Sequence, residues 1–396
     1  MFRYLLAGLV IALASQQGIA NETPALSMGV FKRLTAAEQA MATESFGKAQ
    51  EAIAEVLEDE DDLSDVDKAY TYHMQALLHL YREKYKLARA SFKQAYSLQD
   101  VLTEKTRVQI VEILSNLAMQ EEDYKDAIKF GLLFLESLEE PTRAAYLTLA
   151  VAYYQTEDFK QTIKYLEEVV ARFPPDRAVY STLFASHFEL NDLPKATDTV
   201  EQMVRLWPET AEYWIQLASL YLERDKVTDS LEIMELAYSQ GILLKESELQ
   251  QYVYLLYEKG LPKKAATILD TAIEKEVVKP TYKSWELLAH LNMEAREADK
   301  ALDAYLQVSK VAPDGKEDLY IAQLFFDSEK YSDAIRHAQL AIEKGLNLPG
   351  NAYMLMAAAY QELSDKENTL ISLEEAVKHD ETEASARQWL SALEDS

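Results

Sequence analysis

Histidine is the side chain in this sequence best suited to bind a metal or transfer a proton, and its six copies lie far apart. They stand at positions 73, 79, 187, 290, 337 and 379. Only His73 and His79 are close in sequence, and a separation of six residues places them on different faces of a helix. The spacing therefore predicts no metal site, and we interpret the imidazoles as packed or surface side chains.

Other common catalytic motifs are absent from the sequence. The chain of 396 residues has only 10 glycines, and they form no phosphate-binding loop. It also lacks an HExxH pair and a G-x-S-x-G turn. With 67 acidic residues, some carboxylates pair by chance, so such a pair does not identify a general acid and base. We predict a protein that is not an enzyme and that takes no cofactor.

One run of charge stands out, the five consecutive acidic residues from Glu58 to Asp62. It lacks the alternating ligands and the central glycine of a calcium-binding loop. We interpret the run as a solvated connector between helices. Contact with a cation or with a basic peptide is the alternative.

The elements that must position any site are indicated by a repeat. The segment DFKQTIKYLEEVVARFP (158–174) recurs in altered form about ten times, with a small residue at one fixed place, the anchor. The anchors are spaced by 33 to 39 residues and are Ala49, Ala88, Ala127, Thr162, Ala196, Ser230, Ala265, Ala301, Ala334 and Thr369. A second small residue stands twelve positions earlier in most units, with Phe184 and Val253 as exceptions. We predict helical hairpins whose two helices touch where the small side chains meet.

Two stretches carry a family resemblance, TRAAYLTLAVAYYQTEDFKQTIKYLEEVVARFP and YKSWELLAHLNMEAREADKALDAYLQVSKVAP. They resemble tetratricopeptide (TPR) units, and the likeness extends over roughly 30 to 382. It implies an all-α fold, a right-handed superhelical solenoid of about ten hairpins. The expected organisation is a signal peptide at 1–20, a linker at 21–29, the solenoid at 30–382 and a capping helix at 383–396.

The TPR resemblance also implies where a partner would bind. In such a solenoid the first helix of each hairpin lines the inner surface, and fixed positions of that helix point into the groove. The candidate groove residues are aromatic, amide and histidine side chains: Tyr154, Phe188, Gln250, Tyr254, Tyr257, His290, Gln323 and Phe326. The same positions include His73 but few cations, so capture of a C-terminal carboxylate in the groove is not expected. Aromatic residues that only fill the space between neighbouring helices are the alternative.

Charge and the first residues bear on location. Arg3 is the only charged residue in 1–20, so a formal charge of −27 for the chain leaves −28 beyond them. Such acidity disfavours nucleic acid and suits solubility or a basic partner. Arg3, an apolar run from Tyr4 to Ala14 and a small-x-small site at 18–20 are typical of a cleaved secretory signal. A retained membrane anchor is the alternative, although the run is short for a span.

A narrower resemblance concerns the order of segments. VFKRLTAAEQAM, YWIQLASLYLERDKVTDSLEIMELAYSQGIL, APDGKEDLYIAQLFFDSEKYSDAI and ARQWLSALED are similar to an exported TPR protein of Gram-negative bacteria with TonB-dependent uptake. That resemblance implies a periplasmic scaffold, accessory to the TonB, ExbB and ExbD machinery, which binds a protein or peptide. The rival is an adaptor for outer-membrane protein assembly or polysaccharide export.

Overall fold

The structure, a computed structural model, describes residues 25–394, and every regular element in that range is a helix. The predicted all-α class is therefore confirmed. The predicted signal peptide at 1–20 lies outside the described residues, as do residues 21–24 of the predicted linker. The chain divides into two compact units, and the division falls inside a helix, between Thr199 and Val200.

The helices of the first unit follow one another as pairs joined by short turns. They are α1 Met28–Ala42, α2 Phe46–Leu57, α3 Asp65–Tyr81, α4 Tyr85–Ser97, α5 Glu104–Gln120, α6 Tyr124–Glu136, α7 Arg143–Gln155, α8 Phe159–Arg172 and α9 Arg177–Glu189. The division between the units falls in α10, Leu193–Leu206.

The second unit continues the same pattern and adds a last helix. Its elements are α11 Ala211–Glu223, α12 Val227–Ser239, α13 Glu246–Glu258, α14 Pro262–Glu274, α15 Tyr282–Glu294, α16 Ala298–Val311, α17 Lys316–Asp327, α18 Tyr331–Glu343, α19 Pro349–Glu362, α20 Lys366–Ala376 and α21 Glu383–Glu394.

The anchors predicted from the repeat are buried, and each lies in the second helix of its pair. None of the ten exposes more than 2% of its surface. In two hairpins the small residue is polar and ties the helices together. The Oγ of Ser115 donates to the carbonyl of Ala127 at 3.0 Å, and the Oγ1 of Thr162 donates to the carbonyl of Ala150 at 3.4 Å. Small side chains therefore set where the helices of a hairpin meet.

A left-handed backbone conformation recurs at the turn inside every pair, five residues before each anchor. The residues with positive φ at these ten turns are Glu44, Glu83, Glu122, Glu157, Asn191, Asp225, Gly260, Arg296, Glu329 and Ser364. Only one of them is glycine, the residue that adopts this conformation without a Cβ clash. The tight turn is therefore imposed by the packing of the two helices rather than by the turn residue.

The two longest spacings in the repeat have a common structural cause. The connectors after α2 and α4 each contain a single 3-10 turn, at Glu60–Asp62 and Gln99–Val101. The helices that follow, α3 and α5, have 17 residues, whereas α7 and α11 have 13. All five side chains of the acidic run at 58–62 are exposed, and Glu60 accepts a hydrogen bond from the Tyr72 hydroxyl.

Charged side chains join neighbouring hairpins within the first unit. Arg89 of α4 is buried, and its guanidinium donates to Glu121 at 2.8 Å and to Asp126 at 2.5 Å. It also donates to Asp123, which caps the start of α6. This cluster links α4 to the turn of the next hairpin, beside an apolar core centred on Phe92 and Leu114.

A second buried charge lies in the last third of the chain. Asp318 of α17 is fully buried and accepts hydrogen bonds from Ser309 at 2.7 Å and from Lys344 at 2.6 Å. Its carboxylate also lies 3.3 Å from the Nδ1 of His337. The network joins α16, α17 and the end of α18. Close by in sequence, Gly315 packs directly against the backbone of Ala341.

The final helix, α21, lies on the hairpin of α19 and α20. Its Ala386 is fully buried in a cluster with Ala357 and Leu373, and Trp389 is half-buried against that cluster. The apolar face of the last hairpin is therefore covered by α21.

Candidate partner-binding surface

The candidate groove residues occupy repeated positions in the first helices of the hairpins. One set lies three residues before the left-handed turn residue: Tyr154, Phe188, Tyr257 and Phe326. A second set lies six residues before it: Tyr254, His290 and Gln323. Residues three apart share one face of a helix, as do Gln250 and Tyr254, which are four apart. The repeat therefore places each set at one phase of its helix.

In the first unit, the two candidate aromatic residues differ in what they contact. The ring of Tyr154 is half-buried and meets Phe159 edge-on, with ring centroids 5.6 Å apart. Because Phe159 begins the second helix of the same hairpin, Tyr154 packs within its own hairpin. Phe188 exposes 43% of its surface and contacts only its helix neighbour Phe184 among aromatic residues of the described chain, at 5.8 Å.

In the second unit, the structure brings Tyr257 and His290 into contact. The Tyr257 hydroxyl lies 2.9 Å from the Nε2 of His290, and the two rings meet edge-on at 5.6 Å. The pair connects α13 to α15, the first helices of consecutive hairpins. Tyr254, one turn earlier on α13, exposes 52% of its surface. We call Gln250, Tyr254, Tyr257 and His290 the α13–α15 face.

The two candidate amides form hydrogen bonds within their own helices. Gln250 donates to Glu246 at 3.2 Å, and Gln323 donates to Asp327 at 2.8 Å. Both hydrogen bonds join residues four apart on a helix surface. Such bonds are weak and are easily exchanged for bonds to another partner. Phe326 is half-buried and meets Tyr331 of the same hairpin edge-on at 5.4 Å. It therefore packs as Tyr154 does.

Sequence reasoning missed a tyrosine and carboxylate cluster beside this face. The Tyr282 hydroxyl at the start of α15 donates to Glu317 at 2.7 Å and to Glu286 at 3.1 Å. The hydrogen bond to Glu317 raises the pKa of Tyr282, and burial adds to the shift. Tyr320 of α17 exposes its ring and packs at 5.0 Å from Tyr305. No repeat position signals these contacts, since they depend on how adjacent hairpins pack.

The placement of His73 in the groove is wrong. Its imidazole is buried, its ring centroid lies 5.9 Å from that of Phe92, and its Nε2 has no hydrogen-bond partner. Burial lowers the pKa of His73 to about 4. The repeat position fixes the direction of a side chain but not its depth, and here the apolar core extends to it.

Neither a metal site nor a membrane span is found in the described residues, 25–394. They contain no group of three or more His, Asp or Glu side chains that could hold a metal ion. Among the helices of this range, none combines the length and the apolar character required to cross a bilayer.

Comparison with known proteins yields matches to solved structures only. No protein-family profile matches the chain, and no curated protein sequence matches it. The chain is similar to a structure of Naa15/Naa10 bound to HypK-THB, with 14% identity and a TM-score of 0.45. That match covers 90% of this chain and 64% of the other, so this chain spans less than two thirds of that relative.

Two further structures are described as tetratricopeptide repeat proteins. One, from Parabacteroides merdae, shares 11% identity over 75% of this chain and 98% of its own, with a TM-score of 0.35. The other, YrrB, a TPR protein with an unusual peptide-binding site, shares 13% identity over 50% of this chain and 100% of its own, with a TM-score of 0.36. These likenesses concern the helical-repeat fold alone.

Proposed function

We propose that this protein is a non-enzymatic scaffold that binds an extended segment of a protein partner along the α13–α15 face. The observation that carries the proposal is the exposed ring of Tyr254 beside the Tyr257–His290 pair. A tyrosine offers a large contact area at low entropic cost, and its hydroxyl can bond to a peptide backbone. The side-chain amide of Gln250 bonds only within its own helix, to Glu246, so its donor and its acceptor can form hydrogen bonds with a peptide instead.

The charge of the face suits a partner that carries cations. Glu246 and Glu286 lie half-buried on α13 and α15, and Glu317 is buried beside them with one carboxylate oxygen unpartnered. The whole chain has a formal charge of −27, which accelerates the approach of a basic partner at low salt. We therefore propose a basic or polar extended segment as the ligand of this face.

The proposed location and partner rest on the first residues of the sequence and on the narrower resemblance. We propose that the protein is exported to the periplasm by its first twenty residues and works beside the TonB, ExbB and ExbD proteins. The apolar run after Arg3 supports export, and the order of segments supports the TonB link. Sequencing the N-terminus of the protein from a periplasmic extract tests the first part. A cytosolic chain that still begins with Met1 would refute export.

Site-specific photo-crosslinking tests the face and the partner together. A photoreactive phenylalanine analogue replaces Tyr254 in one variant and Val311 in the control. The two positions have matched exposure, 52% and 53%, but Val311 ends a second helix, α16. Capture of ExbB, ExbD or TonB at Tyr254 and not at Val311 supports the proposal. Barrel-assembly or polymer-export proteins at Tyr254 support the rival adaptor, and equal capture at both positions rejects the face.

A further inference from the structure

A cavity of about 850 Å³ opens in the second unit, away from the α13–α15 face. It lies between α12, Tyr252 of α13, the start of α14 and the turn that joins α15 to α16. Its walls are mainly apolar or aromatic, and they include Tyr238, Tyr252, Leu261, Pro262, Ile268 and Ala295. A volume of this size holds a drug-sized molecule or the end of a peptide.

One wall carries a buried hydroxyl with no partner. Tyr252 exposes none of its surface, packs against Tyr238 at 5.6 Å, and its Oη has no hydrogen-bond partner. Leaving such a group unpaired is costly, and native proteins rarely do so without a reason. Burial raises the pKa of Tyr252, so the phenol keeps its proton at neutral pH and remains a donor. A ligand acceptor would satisfy it.

The start of α14 presents unpaired donors to the same cavity. In α8, Asp158 at the corresponding turn accepts a hydrogen bond from the amide of Gln161. In α14 the residue at that place is Leu261, which has no acceptor, and no side chain caps the helix, as is also the case for α12, α16 and α18. Pro262 has no N–H, so the amides of Lys263 and Lys264 carry the partial positive charge of this uncapped helix of 13 residues. This is the end of a helix that attracts an anion.

The side chains around the cavity include three cations, Lys263, Lys264 and Arg296, and two carboxylates, Glu235 and Glu294. Lys263 already pairs with Glu297 at 2.5 Å, so it is not free for a ligand. Lys264 forms an ion pair with Glu235 at 2.5 Å. Glu235 also acts electrostatically on the Tyr252 phenol, which places this ion pair close to the buried hydroxyl.

We propose that the cavity binds a carboxylate carried on an apolar body. The body occupies the walls formed by Tyr238, Leu261 and Ile268. The carboxylate replaces Glu235 as the partner of Lys264. It also accepts a hydrogen bond from the Tyr252 hydroxyl and faces the first-turn amides of α14. A free organic acid and the last residue of a peptide share this chemistry. The site includes Tyr252 of α13 but none of the four residues of the α13–α15 face, and it does not depend on the function proposed for that face.

Calorimetry on the exported form of the chain, residues 21–396, tests the proposal with three probes. They are N-acetylphenylalanine, the peptide acetyl-Gly-Gly-Phe with a free carboxylate, and the same peptide with a C-terminal amide. We expect both acids to bind. The amide should bind at least about tenfold more weakly, because it has no negative charge to pair with Lys264 and the start of α14. Tighter binding of the peptide acid identifies a peptide terminus, and equal binding identifies any acid of this shape.

Variants distinguish binding at this site from a general effect of the protein's charge. Tyr252→Phe and Lys264→Met should each weaken the acids about fivefold or more, since each removes one donor. Lys275→Met removes the same charge at the other end of α14 and should leave binding unchanged. Tyr252→Phe should also raise the melting temperature of the free protein, because it removes an unpaired buried hydroxyl.

Three outcomes would overturn the proposal. The first is that neither acid binds, and the second is that the acid and the amide peptides bind alike. The third is that Lys264→Met and Lys275→Met have the same effect. A lower melting temperature for Tyr252→Phe would likewise count against it, because the hydroxyl would then have a partner.

Discussion

Substituting Gly315 by alanine tests a close approach between two backbones, at Gly315 and Ala341. Gly315 directly precedes α17, and it lies against Ala341, near the end of α18. Its φ of −88° is ordinary for any residue, so backbone strain is not a factor. Only the space for one methyl group distinguishes the two residues.

The size of the effect follows from the distances. A Cβ at position 315 would lie 1.9 Å from the carbonyl oxygen of Ala341 and 2.6 Å from its Cα. Carbon atoms in contact prefer about 3.5–4.0 Å, so the two backbones would have to separate by more than about 1 Å. We expect a loss of about 3 kcal/mol, at the upper end of the usual cost of overpacking, because neither contact is with a flexible side chain.

The same displacement would disturb the buried charge network. Lys344 directly follows α18 and donates to Asp318 at 2.6 Å and to the carbonyl of Ser309 at 2.5 Å. If the end of α18 moves away from α17, these bonds lengthen and the carboxylate of Asp318 is left buried with weaker partners. A buried charge that loses its partner is strongly destabilising.

Hydrogen exchange detected by mass spectrometry is the suitable assay, because an array of repeats can open locally. We expect faster exchange in α17 and α18 of Gly315→Ala, together with unfolding at lower urea. Gly47→Ala is the control, because a Cβ at that site of α2 meets no atom within 4 Å. It should leave stability unchanged or raise it by up to about 1 kcal/mol. If Gly315→Ala unfolds like the control, the close approach is not present in solution.

The remaining predictions concern three other sites. Tyr254→Ala with Tyr257→Ala should weaken partner binding about thirtyfold or more without loss of helix signal; unchanged affinity by calorimetry would exclude the face. Trp389→Ala should destabilise the C-terminal end by about 2 kcal/mol, as the ring is half-buried, and speed proteolysis near residue 383; unchanged cleavage would contradict this. Burial lowers the pKa of His73 to about 4 from 6.5. Neutral His73 therefore makes its full contribution to the free energy of unfolding above pH 6.5. That free energy falls on acidification, by about 3 kcal/mol near pH 4. His73→Leu should flatten that dependence in urea titrations, and an equally steep loss would refute it.

The hairpin repeat could be predicted because its signal is the physical requirement itself. Two helices approach closely only where side chains are small, so Ala127 and Thr162 had to appear at a fixed interval. The prolines lie where such hairpins tolerate them. Pro174 and Pro313 each stand two residues after the end of a second helix, and Pro262 begins α14, where its missing N–H costs nothing.

The turn inside each hairpin could not be predicted from residue types. Glutamate at positions such as 83 and 157 gives no sign of a left-handed backbone, which favours glycine or asparagine. The conformation is a consequence of two helices already packed through their anchors. Local sequence is therefore overridden by tertiary contacts at these positions.

For the candidate surface, the helical period predicts on which side of a helix a residue lies but not what that residue contacts. The helical period places Tyr254 on an open face, and the structure leaves it exposed. The bond between Tyr257 and His290 depends on the distance between two hairpins, which no residue pattern encodes. The cavity at the start of α14 was missed for the same reason, since Tyr252 becomes an unpaired donor only when α12 and α14 close around it.

The left-handed residues at the hairpin turns leave room for engineering. A glutamate in that conformation costs about 1 kcal/mol relative to glycine, and Glu83, Glu122 and Glu157 all carry the cost. Glycine at these turns would make the chain more heat-resistant while leaving the α13–α15 face untouched. Such a variant would be a more stable reagent for isolating the binding partner of that face.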